Sequence, residues 1–401
     1  MSSAVQFDRQ KDFLVASEQP RYSLEEFSAV LRHAHSKDAS DIYVKTGRPI
    51  SARVLGRIVR LTRRSLEQSE VAAITNGMYG AETAVLTVRG GTPIDDSYQL
   101  KIDRNTYFRY RWCATGCLVR GNFGIEIVLR HLPDDFRPLD ESQIDPRLLA
   151  GMYPDDGLGL VCGATGAGKS TLLAQLIRRK AEQPDADCRI LTFEDPAEFS
   201  FDQIETESCE IIQSQIGDHV ADFPKAIRNA LRRDPDIIMI GESRDAETIK
   251  ASVLAAQTGH AVYSTLHANS VQTAFLRLVQ ALPVEELHSI MGSVLDAIRF
   301  VVCQKLVPTL DGKRVPVREW VVFTKEMRSR LLMAASKNIS LLPAEAGRLV
   351  EEFGVTKVRH AESLLINGVI DPVYVDLIRA ESEAERAQIL GEAVQPGGLN
   401  G

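Results

Sequence analysis

Gly163, Ala164, Thr165, Gly166, Ala167, Gly168, Lys169, Ser170 and Thr171 follow one another without a gap. They fit the spacing G-x-x-x-x-G-K-[ST], whose chemistry is the binding of a polyphosphate. The glycines let the backbone turn tightly and aim its N–H groups inward at an anion. An apolar strand, Leu158-Gly-Leu-Val-Cys162, precedes the loop, and a helix containing Leu172-Leu-Ala-Gln-Leu-Ile177 follows it. The positive end of that helix adds to the attraction. Lys169 is expected to reach the β- and γ-phosphates and Ser170 to ligate Mg²⁺, so ATP and Mg²⁺ are the implied cofactors.

Three further groups of residues could act on such a phosphate. Arg189-Ile-Leu-Thr-Phe-Glu194-Asp195-Pro-Ala-Glu198 puts three carboxylates at the end of a short apolar run. A carboxylate there could orient or deprotonate an attacking water. Asp236-Ile-Ile-Met-Ile-Gly241-Glu242 is a second apolar run ending in an acid. Gly241 stands where many phosphate-loop proteins carry a Mg²⁺-binding Asp, so Glu242 is left to supply that charge, through a metal-bound water. Of the two main acids, Glu194 is preferred as the base and Glu242 as the group near Mg²⁺. His267 follows a third run, Ala261–Leu266, and could hydrogen-bond a γ-phosphate or couple subunits.

The elements that position these groups alternate strand and helix over residues 141–330, as a parallel α/β sheet requires. The expected strands are Leu158–Cys162, Arg189–Phe193, Ile237–Ile240 and Ala261–Leu266. Ligands bind at the carboxyl ends of strands in such sheets, which is where every candidate lies. Residues 22–132 read as a separate α+β domain. Ser23 and Glu26 form a capping box for a helix from Leu24. Short strands follow at Asp41–Lys45, Ala52–Leu55 and Arg57–Leu61. Ser65 is expected to cap a second helix, and Tyr107–Thr115 should pair with Gly124–Arg130. Residues 1–21 are expected to be loose, 133–140 a linker, and 331–401 helical.

The chain has 401 residues, 44% of them hydrophobic and 25% charged, with a formal net charge of −7. Bulk electrostatics therefore weigh against a dedicated nucleic-acid binder. The six cysteines are scattered, which suits free thiols in a reducing compartment. No run reaches the ~18 apolar residues of a membrane span, and no signal-peptide pattern opens the chain, so a cytoplasmic protein is expected.

Taken together, Gly163–Ser170, Thr192–Phe199, Leu231–Glu242 and Thr265–Ser270 resemble the Walker A, Asp, Walker B and His boxes of the secretion ATPases. That superfamily drives type II secretion, type IV pili and type IV secretion. Its Walker B strand ends in Gly-Glu, which accounts for Gly241. Ala39–Ile50 with Arg53 and Gly56 resembles the opening of its PAS-like N-domain. Tyr107–Val119, Arg228–Arg233, Gly241–Ile249 and Gln304–Thr309 resemble the type IVB branch, which holds the Dot/Icm and IncI-type conjugation ATPases, DotB and TraJ. The tetracysteine module of type II secretion ATPases does not follow the His box.

The resemblance implies a RecA-like α/β core after a PAS-like domain, with helices at the C-terminal end. It also implies a homohexamer docked on an inner-membrane secretion or conjugation complex, moving protein or DNA substrates. N-domain arginines, with Arg109, Arg111 and Arg130 as candidates, are expected near the phosphates, since guanidinium groups stay charged and bind phosphate bidentately. The alternatives are a pilus-retraction motor, a RecA-like nucleic-acid motor and a non-catalytic scaffold.

Overall fold

The computed structural model describes residues 13–104, 106–132, 137–202 and 204–391. The chain forms two compact units, Met1–Asp135 and Phe136–Gly401. Half of the expected linker, 133–136, lies outside the described residues, as do residues 1–12 and 392–401.

The first unit runs α1 (Leu24–Ser36), β1 (Ala39–Lys45), β2 (Ser51–Val54), β3 (Arg57–Arg60), α2 (Gln68–Tyr79), α3 (Ala84–Arg89), β4 (Ile94–Lys101), β5 (Tyr107–Val119) and β6 (Asn122–Leu132). Its sheet has the order β3-β2-β1-β6-β5-β4, with every neighbouring pair antiparallel. The Ser23–Glu26 capping box opens α1, and Phe27, Val30, Leu31 and Ala34 turn its apolar stripe onto the sheet's core. The second helix starts later than expected. Glu67, not Ser65, is its N-cap, and Glu67 and Glu70 form the reciprocal box. Glu70 is also claimed by the Arg64 guanidinium, which holds its carboxyl down at about 2. Residues 13–21, inside the stretch expected to be loose, are tied down. Val15 is buried and its N–H donates to Leu61 O, while Glu18 accepts from the N–H groups of Arg63 and Arg64.

The second unit runs α4 (Pro146–Gly151), β7 (Gly157–Cys162), α5 (Lys169–Ala181), β8 (Cys188–Glu194), β9 (Cys209–Gln215), α6 (Phe223–Ala230), β10 (Ile237–Ile240), α7 (Ala246–Gln257), β11 (Ala261–Leu266), α8 (Val271–Ala281), α9 (Leu287–Ala297), β12 (Ile298–Pro308) and β13 (Arg314–Val322). Helices α10 (Lys325–Lys337), α11 (Leu342–Phe353), α12 (Lys357–Ile366) and α13 (Pro372–Leu390) follow. The sheet order is β13-β12-β7-β11-β10-β8-β9, parallel throughout except for the β12–β13 edge pair. Strand residues alternate between two cores. Ile238 and Ile240 pack with α7, α8 and α9, whereas Ile237 and Met239 pack with α5. Both faces are covered, which is why β7 and β10 read as unbroken apolar runs and β11 is buried along its whole length. The connections leaving the neighbouring strands β7 and β11 carry α5 and α8 into the two different cores, so the crevice at the carboxyl end of β7 falls on the phosphate loop. The last helices cover the far edge, where Ala361, Val375 and Ile378 pack on Val307, Val315 and Val317.

Candidate nucleotide site

The loop 163–168 joins β7 to α5 and is held from beneath, with the Gly163 N–H donating to Leu266 O of β11 at 3.3 Å. Gly168 is the N-cap of α5 at φ +82°, a left-handed conformation that L side chains rarely adopt, and it provides no side-chain cap. The first-turn N–H groups of a helix have no acceptor within the helix, so α5 presents them to whatever the loop encloses. Lys169 folds back along the loop and donates to Gly163 O at 2.9 Å and Ala164 O at 3.2 Å. Burial pulls its pKa down, and the nearby charges of Glu242 and Glu198 push against that. Ser170 and Thr171 sit half-buried in the first turn.

Glu194 ends β8 with 6% of its surface exposed. Its Oε1 accepts from Thr192 Oγ1 at 3.1 Å and from Gln213 Nε2 at 2.6 Å. Gln213 lies on the edge strand β9, and its own carboxamide also donates to Phe199 O at 2.8 Å. Asp195 and Glu198 are exposed. One strand over, the Gly241 N–H donates to Phe193 O at 2.7 Å, and a Cβ at position 241 would lie 3.3 Å from Glu194 Cα. The glycine therefore lets the ends of β8 and β10 approach while Glu242 projects beyond them. Glu242 receives Arg244 Nε on Oε2 at 2.7 Å and His267 Nε2 on Oε1 at 3.3 Å. The loops carrying these residues are short and pinned. Asp245 caps α7 just after Arg244, and Ser270 caps α8 just after His267. His267 is half-exposed, yet burial and the Lys169 charge pull its pKa below the ordinary value, against Glu242.

Among the described residues, no group of three or more His, Cys, Asp and Glu could hold a metal ion unaided. Mg²⁺ takes one or two protein oxygens and completes its shell with phosphates and water. Ser170 and Glu242 offer such oxygens. A cavity of about 1450 Å³ opens beside residues 164–167 and His267 and extends to Gln304 and to Ile378, Glu381 and Gln388 of α13.

The model of the "Type II/IV secretion system protein" family matches residues 18–361. The chain belongs to this family. Among curated relatives, it is 38% identical over 201 residues to YggR of Escherichia coli, spanning 50% of this chain and 60% of that protein. It is 29% identical over 304 residues to "Type IV pilus retractation ATPase PilT" of Pseudomonas aeruginosa, spanning 76% of this chain and 84% of that one. The Legionella pneumophila ATPase DotB superposes with a TM-score of 0.84 at 38% identity, covering 92% of this chain and 99% of that one. For the Yersinia pseudotuberculosis DotB the values are 0.74, 31%, 91% and 96%. The second unit is thus a RecA-like secretion-ATPase core of the DotB-like branch.

In this secretion-ATPase family member the candidate arginines belong to the first unit and the phosphate loop to the second. Arg109 is buried on β5. Arg111, on the same strand, is paired bidentately with Asp95, at 3.1 Å from Nε and 2.7 Å from Nη2. Arg130, on β6, pairs through Nε with Asp41 at 3.0 Å while 71% of its side chain stays exposed. One site residue had no sequence signal, and a second, Arg244, had only its place in the Gly241–Ile249 stretch and no role of its own. Gln213 sits on a strand that the sequence does not announce, and Arg244, the ion-pair partner of Glu242, reads locally as one more polar residue before a cap.

Proposed function

We propose that this chain is a hexameric ATPase that hydrolyses Mg-ATP to power a type IVB secretion or conjugation machine. The observation that carries the reading is the convergence of Lys169, Glu194, Glu242 and His267 on the carboxyl edge of one parallel sheet, beside a phosphate-type loop. In this reading the first-turn N–H groups of α5 and Lys169 hold the β- and γ-phosphates. Lys169 exchanges its two loop carbonyls for phosphate oxygens. Mg²⁺, held by Ser170 and approached by Glu242, would neutralise charge on the transferred group.

Glu194, oriented through Oε1 by Thr192 and Gln213, takes a proton from water as that water attacks the γ-phosphorus. The bond to the β-phosphate oxygen breaks, leaving ADP and phosphate. His267 can donate to the departing phosphate and report its loss to Glu242. Arg109, Arg111 or Arg130 would complete the site across a subunit boundary, with Arg130 the most exposed of the ion-paired candidates. Hydrolysis would then shift the first unit against a neighbouring core through the segment around 131–140, a hinge change.

The near-complete two-way coverage of the Legionella DotB fold supports the type IVB reading. The long match to the Pseudomonas pilus ATPase supports a second one, a pilus-retraction motor. Co-purification from native membranes separates the two, by whether secretion-channel or pilus-base proteins accompany the ATPase. For the chemistry, the test is Glu242→Gln. It should retain ATP binding and lose multiple-turnover hydrolysis; loss of ATP binding instead would remove Glu242 from its assigned role.

A further inference from the structure

A buried polar relay reaches the phosphate loop from below, and none of its members belongs to the loop or to the carboxylate boxes. Gln304 of β12 and Arg318 of β13 are direct cross-strand partners. Both are almost fully buried, Gln304 at 4% and Arg318 at 6% exposure. Gln304 Nε2 donates to Ala167 O at 2.8 Å. Its Oε1 accepts from Arg318 Nε at 3.2 Å. Arg318 Nη1 donates to Gln143 O at 3.0 Å, and its backbone N–H to His360 Nδ1 on α12 at 2.8 Å. Among the described residues no carboxylate pairs with Arg318. An unpaired cation this deep is costly, and it persists only where its donors are spent on fixed acceptors.

We infer that Gln304 is a positioning residue for the nucleotide, holding the phosphate loop in its binding shape, and that Arg318 fixes Gln304 in the orientation that does so. The peptide bond is planar and trans, so its C=O and N–H point in opposite directions. By anchoring the Ala167 carbonyl beneath the loop, Gln304 turns the next N–H, that of Gly168, the other way. That N–H heads the group at the start of α5 that would meet a phosphate. The fit leaves little slack, because a Cβ at Gly168 would lie 3.0 Å from Gln304 Nε2. Arg318 makes the orientation of the amide unambiguous. Its guanidinium can only donate, so it takes the oxygen of Gln304 and leaves the NH₂ for Ala167. Because Arg318 also bonds to α12 and to the segment before α4, the loop's shape is tied to how the C-terminal helices seat.

This inference rests on the nucleotide-site reading, and its test separates the two. Binding of a fluorescent N-methylanthraniloyl ATP would be titrated on the full chain, with thermal midpoints taken without nucleotide. Gln304→Glu keeps the side chain's size and gives Arg318 a counter-ion, but it has no N–H for Ala167. Its dissociation constant should rise about tenfold, the scale of one buried hydrogen bond, with a midpoint no lower than the parent's. Arg318→Met should also weaken binding while retaining the fold, since it removes a buried unpaired charge. It decides the matter if Gln304→Glu does not fold. Parent-like affinity in the folded variants would overturn the positioning role, as would midpoints that fall while affinity holds. A parent that binds no nucleotide would instead overturn the site reading, and the inference with it.

Discussion

His360 offers a quantitative test of how the C-terminal helices are seated on the core. The ring sits on α12 and accepts the Arg318 N–H through Nδ1 at 2.8 Å. Burial pulls its pKa down to about 4, and the Arg318 guanidinium adds to the depression, with Asp145 in mild opposition. In the unfolded chain the ring titrates near ~6.5. Between these two values the unfolded state binds more protons than the folded one, so stability falls as the pH falls. The contribution is complete above about pH 6.5, declines across the interval and is gone below about pH 4. The gap corresponds to roughly 3 kcal/mol. His360→Asn keeps an acceptor for the Arg318 N–H and removes the titration. Urea unfolding of parent and variant, followed from pH 8 to 4.5, should give a stability difference that is constant above pH 7. Below pH 6.5 that difference should shift in the variant's favour by up to about 3 kcal/mol. Parallel curves through this window would refute the argument, because they would mean that the ring takes up its proton without disturbing the contact.

Two further outcomes test the nucleotide site. Lys169→Ala should abolish turnover while leaving the thermal midpoint of the nucleotide-free protein nearly unchanged, since its amine bonds only loop carbonyls among the described residues; turnover at the parent rate would sink the assignment. Arg130→Ala should slow hydrolysis tenfold or more in assembled rings and leave dilute monomers unaffected, measured as specific activity against protein concentration; an equal loss at every concentration would argue against a role across a boundary.

What could be read from the sequence was whatever is encoded locally. The strand preceding the loop, the apolar runs Ile237–Ile240 and Ala261–Leu266, and the Ser23–Glu26 box each depend on residues a few positions apart, and each is where the pattern puts it. The misses have the opposite character. Ser65 is a good capping residue by type, but Arg64 draws Glu70 into an ion pair, and Glu70 then closes a box with Glu67 instead. Glu70 also accepts the Tyr22 N–H at 2.7 Å, so a contact reaching 48 residues along the chain overrode a local preference. The strand β9 alternates weakly because it is an edge, with Glu210, Ile211, Ile212 and Gln213 all partly or fully exposed, so no continuous apolar run marks it.

The same distinction separates the parts of the site. Glu194, Glu242 and His267 stand out because each closes an apolar run, and the fold needs nothing further to bring them to one edge. Gln304, Gln213 and Arg244 act on that edge from strands and loops whose register is set only when the sheet assembles. Their chemistry supports other groups, orienting Glu194, pairing Glu242 or holding the Ala167 carbonyl. A supporting residue needs a suitable donor at a suitable place, and no spacing rule prescribes it. Arg318 makes the case most sharply. It lies fourteen positions beyond Gln304, and a buried arginine among apolar strand residues reads from sequence as a surface position facing water. Its burial follows from the antiparallel β12–β13 pairing, which turns the strand onto an edge that α12 then covers. Substitutions at such positions should therefore change nucleotide affinity without touching the Walker A, Asp, Walker B or His boxes, so relatives with those four boxes intact that differ at 304 or 318 are the natural variants in which to look for altered ATP binding.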